Sequence, residues 1–216
     1  MSISDRKVLL ALETALDGGS ICIFENHRVL DCAVGTGKLS KSEDILLLIE
    51  ELLQRNKIKR GEIKLIVVSD GPGSLTGIRI GLSMAKGLAD ALSAEVLKIS
   101  VLEALAYQGV KTGRLIAALY TEKTGVFFGE FFLRENHRAE LLGETDNVSL
   151  VGFKEKISAL IERNISFVFT KKLEIALGSF YREMNCLGKI RFYVAEESPA
   201  NLIGLAGERI SRPIIK

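Results

Sequence analysis

The chain has 216 residues, of which 47% are apolar and 26% charged, and its formal net charge is +2. This composition is typical of a globular protein and argues against a disordered chain. The near-balance of charge excludes a protein that coats nucleic acid or an anionic membrane through bulk charge alone. Only two histidines occur, so a histidine-rich metal or acid/base site is not expected.

The cysteines and the apolar runs indicate the compartment. Cys22, Cys32 and Cys186 form no C-x-x-C motif, which favours reduced thiols in a cytosolic protein; a Cys22–Cys32 bridge is the alternative if two strands place these residues side by side. No apolar run approaches the roughly 18 residues of a membrane-spanning helix. Glu13 ends the first apolar run too early for a signal peptide. We therefore expect a cytoplasmic protein that does not contact a membrane.

The first half of the chain is predicted to begin with three strands and to continue with alternating helices and strands. Apolar runs bounded by turn residues mark the strands, and 3.6-residue spacing marks the helices. The predicted strands are 8–12, 20–24, 29–34, 62–69 and 94–99, and the predicted helices are 42–56, 75–92 and 101–108.

The second half repeats this order. The predicted strands are 115–120, 126–133, one near Glu140, 166–170 and 190–194, and the predicted helices are 153–163, 173–184 with a candidate break at Gly178, and 199–210. The recurrence predicts an α/β protein with two lobes, each a mixed sheet with flanking helices, and a crevice between them. We place the N-terminal lobe at 1–108 and the C-terminal lobe at 109–216, with the last helix as a candidate to pack back toward the first lobe.

The predicted helix at 42–56 has a wide apolar face. Its core-facing residues recur at helical spacing, and Leu46 is predicted to widen that face. Leu47 lies nearly opposite, beside acidic residues. It is therefore either an ordinary exposed leucine or a contact residue for a partner.

The turn at 70–77, Asp-Gly-Pro-Gly-Ser-Leu-Thr-Gly, is the strongest candidate ligand site. It joins a buried strand to a helix start, where unpaired backbone N–H groups and the helix dipole favour a phosphate. The alternative is that Ser74 only caps the helix and the glycines only permit the turn, and the spacing does not decide between the two. The candidate nucleotide contacts are Gly71, Gly73, Ser74, Thr76 and Gly77.

Four small residues recur every four positions along the next helix: Gly77, Gly81, Ala85 and Ala89. Each interior glycine costs about 1 kcal/mol relative to alanine in a helix, so these glycines need a packing or binding reason. A row of small side chains lets another backbone approach closely. The spacing does not decide whether this small-residue ridge packs within the chain or contacts a partner.

Other catalytic patterns are weak. The segment Gly35–Ser40 lacks the Walker A spacing, and the two histidines, His27 and His137, are far apart and outside any metal-ligand spacing. We therefore predict no metal site, and the shortage of histidine disfavours a metalloprotease. Glu13, at the end of the first strand, either holds a metal–nucleotide or a water, or is a solvated strand-end carboxylate.

The turn and the segments around it resemble the bacterial TsaB (YeaZ) family. The residues that carry the resemblance are Gly71 to Gly81 and Ala85 to Ala89, together with Leu10 to Thr14, Ser42-Glu43 with Leu46-Leu47, and Val101 to Ala106. The match is specific over residues 8–106 and weak beyond them. It implies the two-lobed fold of the actin and sugar-kinase (ASKHA) class.

The resemblance also implies a function. Family members act in making threonylcarbamoyladenosine in tRNA, as noncatalytic scaffolds that pair through the first two helices of the N-terminal lobe with the catalytic subunit TsaD and support assembly with the ATPase TsaE. This implies a pseudo-enzyme that meets tRNA only through the complex. No cofactor is expected to bind tightly, although a nucleotide, ATP or ADP, is a candidate ligand at the partner interface.

Departures from the family pattern direct attention to the first lobe. Lys41 and Leu47 stand where His and Pro are usual, and Thr121, Lys123 and Val126 replace usual polar residues of the second lobe. We predict a partner interface built from Lys41, Leu47, Gly77, Gly81, Ala85 and Ala89, and a homodimer that buries the ridge when the partner is absent. The alternative function is an ATP-binding phosphotransferase or ATPase of the same fold, with residues 71–77 holding phosphates and Glu13 assisting a metal.

Overall fold

The computed structural model describes residues 7–16, 19–26, 28–35, 41–109, 112–134, 139–160, 163, 165–188, 190–195, 204–205 and 207, with the backbone alone at 41–43. The chain forms two compact units, one made of residues 1–101 and 197–216 and the other of residues 102–196. The boundary predicted from the sequence lies at residue 108. The difference arises because the segment after Val101 packs on the second unit, where the Ala139 amide donates to the Tyr107 hydroxyl at 3.3 Å.

Unit 1 is built on a five-stranded sheet with the order β3-β2-β1-β4-β5. The first three strands pair antiparallel, while β1, β4 and β5 pair parallel. The bounds are β1 Val8–Glu13, β2 Ser20–Glu25, β3 Arg28–Val34, β4 Ile63–Ser69 and β5 Glu95–Ile99, with helices α1 Lys41–Arg55 and α2 Leu75–Leu92.

Helices α1 and α2 cover one face of this sheet. Alternate strand residues such as Leu10, Leu12 and Ile23 point toward the helices and form the core with Ile45 and Leu52 of α1. This is the period-2 pattern of strands packed against the period-3.6 pattern of a helix. On the opposite face, the helical residues Gly204 and Gly207 lie against Phe24 and Val67.

Unit 2 contains a six-stranded sheet with the order β11-β10-β6-β7-β8, and β9 pairs with β7. Parallel pairing joins β6, β10 and β11, and antiparallel pairing joins the others. The strands are β6 Gly113–Thr121, β7 Gly125–Leu133, β8 Ala139–Leu141, β9 Asp146–Val148, β10 Ser166–Thr170 and β11 Arg191–Ala195, and the helices are α3 Val101–Ala106, α4 Leu150–Ala159, α5 Lys171–Leu177 and α6 Ser179–Cys186.

Two mixed sheets with flanking helices confirm the predicted fold class. The candidate break at Gly178 is confirmed, because its φ of 57° ends α5 before α6 begins. One strand differs from the sequence prediction. Strand β9 was missed because it has only three residues, two of them Asp146 and Asn147, which are uncommon in strands.

The cysteines correct the expectation of reduced thiols. Cys22 and Cys32 form a disulfide that joins β2 to β3. The antiparallel register places these two residues directly opposite each other, with their Cα atoms 4.1 Å apart. Cys186 is exposed and free.

The helices were also compared with the length and hydropathy that a membrane span requires. No helix among the described residues is both long and apolar enough to cross a bilayer.

Candidate functional site

The turn between β4 and α2 is fixed by hydrogen bonds on both sides. It contains a cis Gly71–Pro72 peptide bond. The Gly71 amide donates to the Ser69 hydroxyl at 3.2 Å, and its carbonyl accepts from the Val101 amide at 2.7 Å. Asp70 is the first residue of this turn. Desolvation raises the pKa of its carboxyl, while the positive charge of nearby Lys98 acts to lower that pKa. The turn is therefore anchored to β4 and to Val101, the residue at the boundary of unit 1.

Ser74 caps α2, as the simpler interpretation of the turn predicted. Its hydroxyl accepts from the Gly77 amide at 3.2 Å. Capping of this kind satisfies one of the backbone donors that a helix start leaves unpaired.

Residues Thr14 and Ala15, which follow β1, pack against the side of the turn formed by its glycines. The Ser74 amide donates to the Ala15 carbonyl at 2.8 Å, and the Thr14 hydroxyl donates to the Gly77 carbonyl at 2.7 Å. A Cβ on Gly73 would lie 2.5 Å from the Ala15 oxygen, and one on Gly77 would overlap the Thr14 carbonyl. These glycines let the chain pack against itself, so their faces offer no open cradle for a phosphate.

Of the five predicted nucleotide contacts, only Ser74 and Thr76 are exposed. Gly71 and Gly77 are buried, and Gly73 faces Ala15. The structure therefore brings the five residues into one turn but presents only two hydroxyls to a ligand.

Glu13 is neither a solvated carboxylate nor an open ligand group. Its side chain is 1% exposed, and its Oε1 accepts from the amides of Ala15 at 2.6 Å and Leu16 at 3.0 Å. These bonds hold the turn after β1, which is the segment that packs under α2. Glu13 therefore supports the turn structurally.

The small-residue ridge faces inward, which corrects the prediction that it contacts a partner. Gly77, Gly81, Ala85 and Ala89 are the buried residues of α2. A Cβ on Gly81 would overlap the Thr14 hydroxyl and lie 3.4 Å from Val68. The ridge lets α2 approach β1 and β4 of its own sheet, so it is not available to a partner or to a second copy. The predicted homodimer thereby loses the surface that it was to bury.

The exposed side of α2 instead forms an apolar groove with α1. The groove has a volume of about 650 Å³. Leu46 lines it and is 49% exposed, although the sequence analysis placed Leu46 toward the core. Its other lining residues all lie on α2, and they are Thr76, Arg79, Ile80, Ser83, Met84, Gly87 and Leu88.

The groove has a signal in the sequence that was overlooked. Ile80, Met84 and Leu88 recur every four residues beside the ridge, so α2 has a second apolar stripe. A helix with apolar residues on two sides is typical of one that packs against other elements on both sides.

The other predicted interface residues lie in different settings. Leu47 is 54% exposed, as expected, on the same helix as the groove residue Leu46. Lys41 begins α1, but its side chain lies outside the described residues. His27, His137 and the segment 36–40 also lie outside the described residues.

The substituted second-lobe residues form an ordinary hairpin. Thr121 and Thr124 hydrogen bond through their hydroxyls at 2.5 Å, and the Thr124 amide donates to the Thr121 hydroxyl at 3.3 Å. Val126 is buried in the core of unit 2. The hydroxyls of this turn are therefore engaged with each other.

Comparison with known proteins indicates the family to which the chain is related. The family model of TsaD, tRNA N6-adenosine threonylcarbamoyltransferase, matches residues 39–172. A Buchnera aphidicola protein named tRNA threonylcarbamoyladenosine biosynthesis protein TsaB is 26% identical over 191 residues, which is 86% of this chain and 84% of that protein. In five further relatives with that name, the match spans between 56% and 65% of the relative's length.

Solved structures give the same fold. YeaZ from Pseudomonas aeruginosa aligns with a TM-score of 0.63 at 23% identity, over 95% of this chain and 93% of that chain. A Porphyromonas gingivalis protein described as an N-acetylglucosamine kinase aligns with a TM-score of 0.54 at 11% identity, over 96% and 99%. The fold is therefore that of YeaZ and the sugar-kinase class, and the chain belongs to the TsaB (YeaZ) family within the wider family that the TsaD model describes.

Proposed function

We propose that this chain is a noncatalytic subunit in the synthesis of threonylcarbamoyladenosine in tRNA. In this proposal it pairs with a TsaD-type catalytic subunit and supports assembly with a TsaE-type ATPase, and it meets tRNA only through the complex. The names of its relatives support the pathway. A near-neutral net charge of +2 fits a subunit that leaves most tRNA binding to its partners.

The observation that carries the pairing is the apolar groove between α1 and α2. Its apolar residues include Leu46, which is exposed on α1, and Ile80, Met84 and Leu88, which are half-buried on α2. A contiguous exposed apolar patch marks an interaction site. The glycine turn supports this assignment over the ATPase alternative, because the chain's own backbone occupies the glycine faces that phosphates would need.

A nucleotide has a restricted place in this proposal. Only Ser74 and Thr76 present hydroxyls at the turn, and Thr76 also lines the groove. A nucleotide held by the assembled complex would therefore contact this chain at the N-terminal end of α2, beside the groove. Most of its contacts would come from the partner.

The groove is tested by comparing Leu46→Asp with Ile175→Asp. Both replace an exposed apolar residue by a charge, but Ile175 is 71% exposed on α5 of unit 2 and is not among the residues that line the groove. We expect Leu46→Asp to weaken binding to the TsaD-type subunit at least tenfold in calorimetry, because it places a carboxylate in an apolar contact. The control should bind as the wild type does.

The same pair of variants tests self-association. We propose that the groove also forms a homodimer when the partner is absent, because an uncovered apolar groove is then available on each copy. Light scattering should show a dimer for the wild type and Ile175→Asp, and a monomer for Leu46→Asp.

Equal binding of both variants to the TsaD-type subunit would contradict the groove as its docking site.

A further inference from the structure

Gly87 is an interior glycine of α2 that contacts among the described residues do not explain. A Cβ built on it would meet none of their atoms within 4 Å, and its φ is not in the left-handed region. Gly77 and Gly81 differ, because added Cβ atoms there would overlap Thr14. Glycine in a helix interior costs about 1 kcal/mol relative to alanine. In the isolated chain, alanine at position 87 would therefore be the more stable choice.

The position of Gly87 indicates where its use lies. It lines the apolar groove, one turn beyond Ser83. Small side chains at a helix contact allow interaxial distances at the short end of the usual range of about 8–10 Å. A glycine in the wall of the groove, where an added Cβ would meet no atom of the described residues within 4 Å, is therefore suited to the close approach of another backbone.

Arg79 supplies the charge of the same groove. It is exposed, and no carboxylate among the described residues lies within ion-pairing distance of it. Gly87 follows Arg79 by eight positions, which is about 12 Å along the helix axis. The groove thus presents a cation at one end, an apolar centre, and a site of close approach at the other end.

We propose that a helix of the catalytic partner crosses α2 in near-backbone contact at Gly87, and that a carboxylate on that partner pairs with Arg79. This inference rests on the proposed function. The inference adds the contact geometry and the chemistry of the partner's surface to the proposed function. That surface is an amphipathic helix with an acidic residue about 12 Å from the point where it crosses α2. Four-residue spacing of Ile80, Met84 and Leu88 matches the ridges that a crossing helix packs into.

The test compares Gly87→Ala with Gly61→Ala. At either site an added Cβ meets no atom within 4 Å in the part of the chain that the structure describes, but Gly61 lies in a short 3-10 turn and not in the groove. The isolated Gly87→Ala chain should unfold at a higher temperature than the wild type, because alanine favours the helix. Its dissociation constant for the TsaD-type subunit should rise at least tenfold in calorimetry, while Gly61→Ala binds as the wild type does.

Arg79→Met provides the second measurement. Wild-type affinity should fall as salt is raised from 50 to about 300 mM, because salt screens the ion pair, and Arg79→Met should remove most of that dependence. If wild type binds and Gly87→Ala binds equally well, the crossing point is wrong and the proposed function stands. If the wild type itself does not bind, the proposed function is wrong and the inference falls with it.

Discussion

At the scale of single residues, Thr14 explains why Gly77 and Gly81 of the small-residue ridge are glycines, although the ridge was predicted to be a binding surface. Its hydroxyl donates to the Gly77 carbonyl at 2.7 Å and fills the space beside Gly81. The four-residue repeat of small side chains was predictable, but its direction was not. The residue that occupies the slot lies 63 positions away from Gly77 on another element.

This contact predicts an energetic coupling between Gly81 and Thr14. Gly81→Ala should lower the free energy of unfolding by about 2 kcal/mol, because the new Cβ overlaps the Thr14 hydroxyl. In a Thr14→Ala background the same change should cost less than half as much, because the overlapping oxygen is gone. Urea unfolding of the two single variants and the double variant measures the coupling. Additive costs would show that Thr14 is not the contact.

At the scale of elements, α1 is tied to the edge strand β3 at its carboxyl end. Asp31 accepts hydrogen bonds from Arg55 at 2.7 Å and from Asn56 at 2.8 Å. The other part of the same helix carries Leu46, which lines the groove, and the exposed Leu47. The sequence predicted α1 well because of its apolar spacing, but the exposure of Leu46 depends on where α2 lies, and periodicity within one helix does not contain that information.

The Asp31 contact predicts a pH dependence. Chiefly through the hydrogen bond from Arg55, the pKa of Asp31 is lowered in the folded state. Its stabilising contribution is therefore present above the pKa of the unfolded chain, about 3.9, and is lost as pH falls through the lower folded value. Asp31→Asn should lower the free energy of unfolding by no more than about 1 kcal/mol at pH 7, because Arg55 is 59% exposed.

The difference between wild type and Asp31→Asn should shrink as pH is lowered below 4. Denaturant unfolding at pH 7, 5 and 3 measures it, and Glu140→Gln provides a matched surface control because Glu140 pairs with Arg134 on another strand end. A difference that stays constant over this range would show that Asp31 does not act through its charge.

At the scale of the whole molecule, the two α/β units follow from the order of strands and helices, since short apolar runs and amphipathic helices alternate in both halves. The resemblance at residues 71–81 led to the family that the comparisons support. The position of the groove could not be predicted, because it depends on which of two apolar stripes of α2 reaches the sheet. Ala85 and Ala89 are buried there, whereas Met84 and Gly87 line the groove.

The most direct test of the account is reconstitution of tRNA modification. The TsaD-type subunit, the TsaE-type ATPase, the threonylcarbamoyl donor and substrate tRNA are combined with wild-type chain, with Leu46→Asp, or without this chain, and threonylcarbamoyladenosine is measured by mass spectrometry. We predict formation with the wild type, and strong loss with Leu46→Asp and without the chain. Equal modification in the absence of the chain would contradict the central claim.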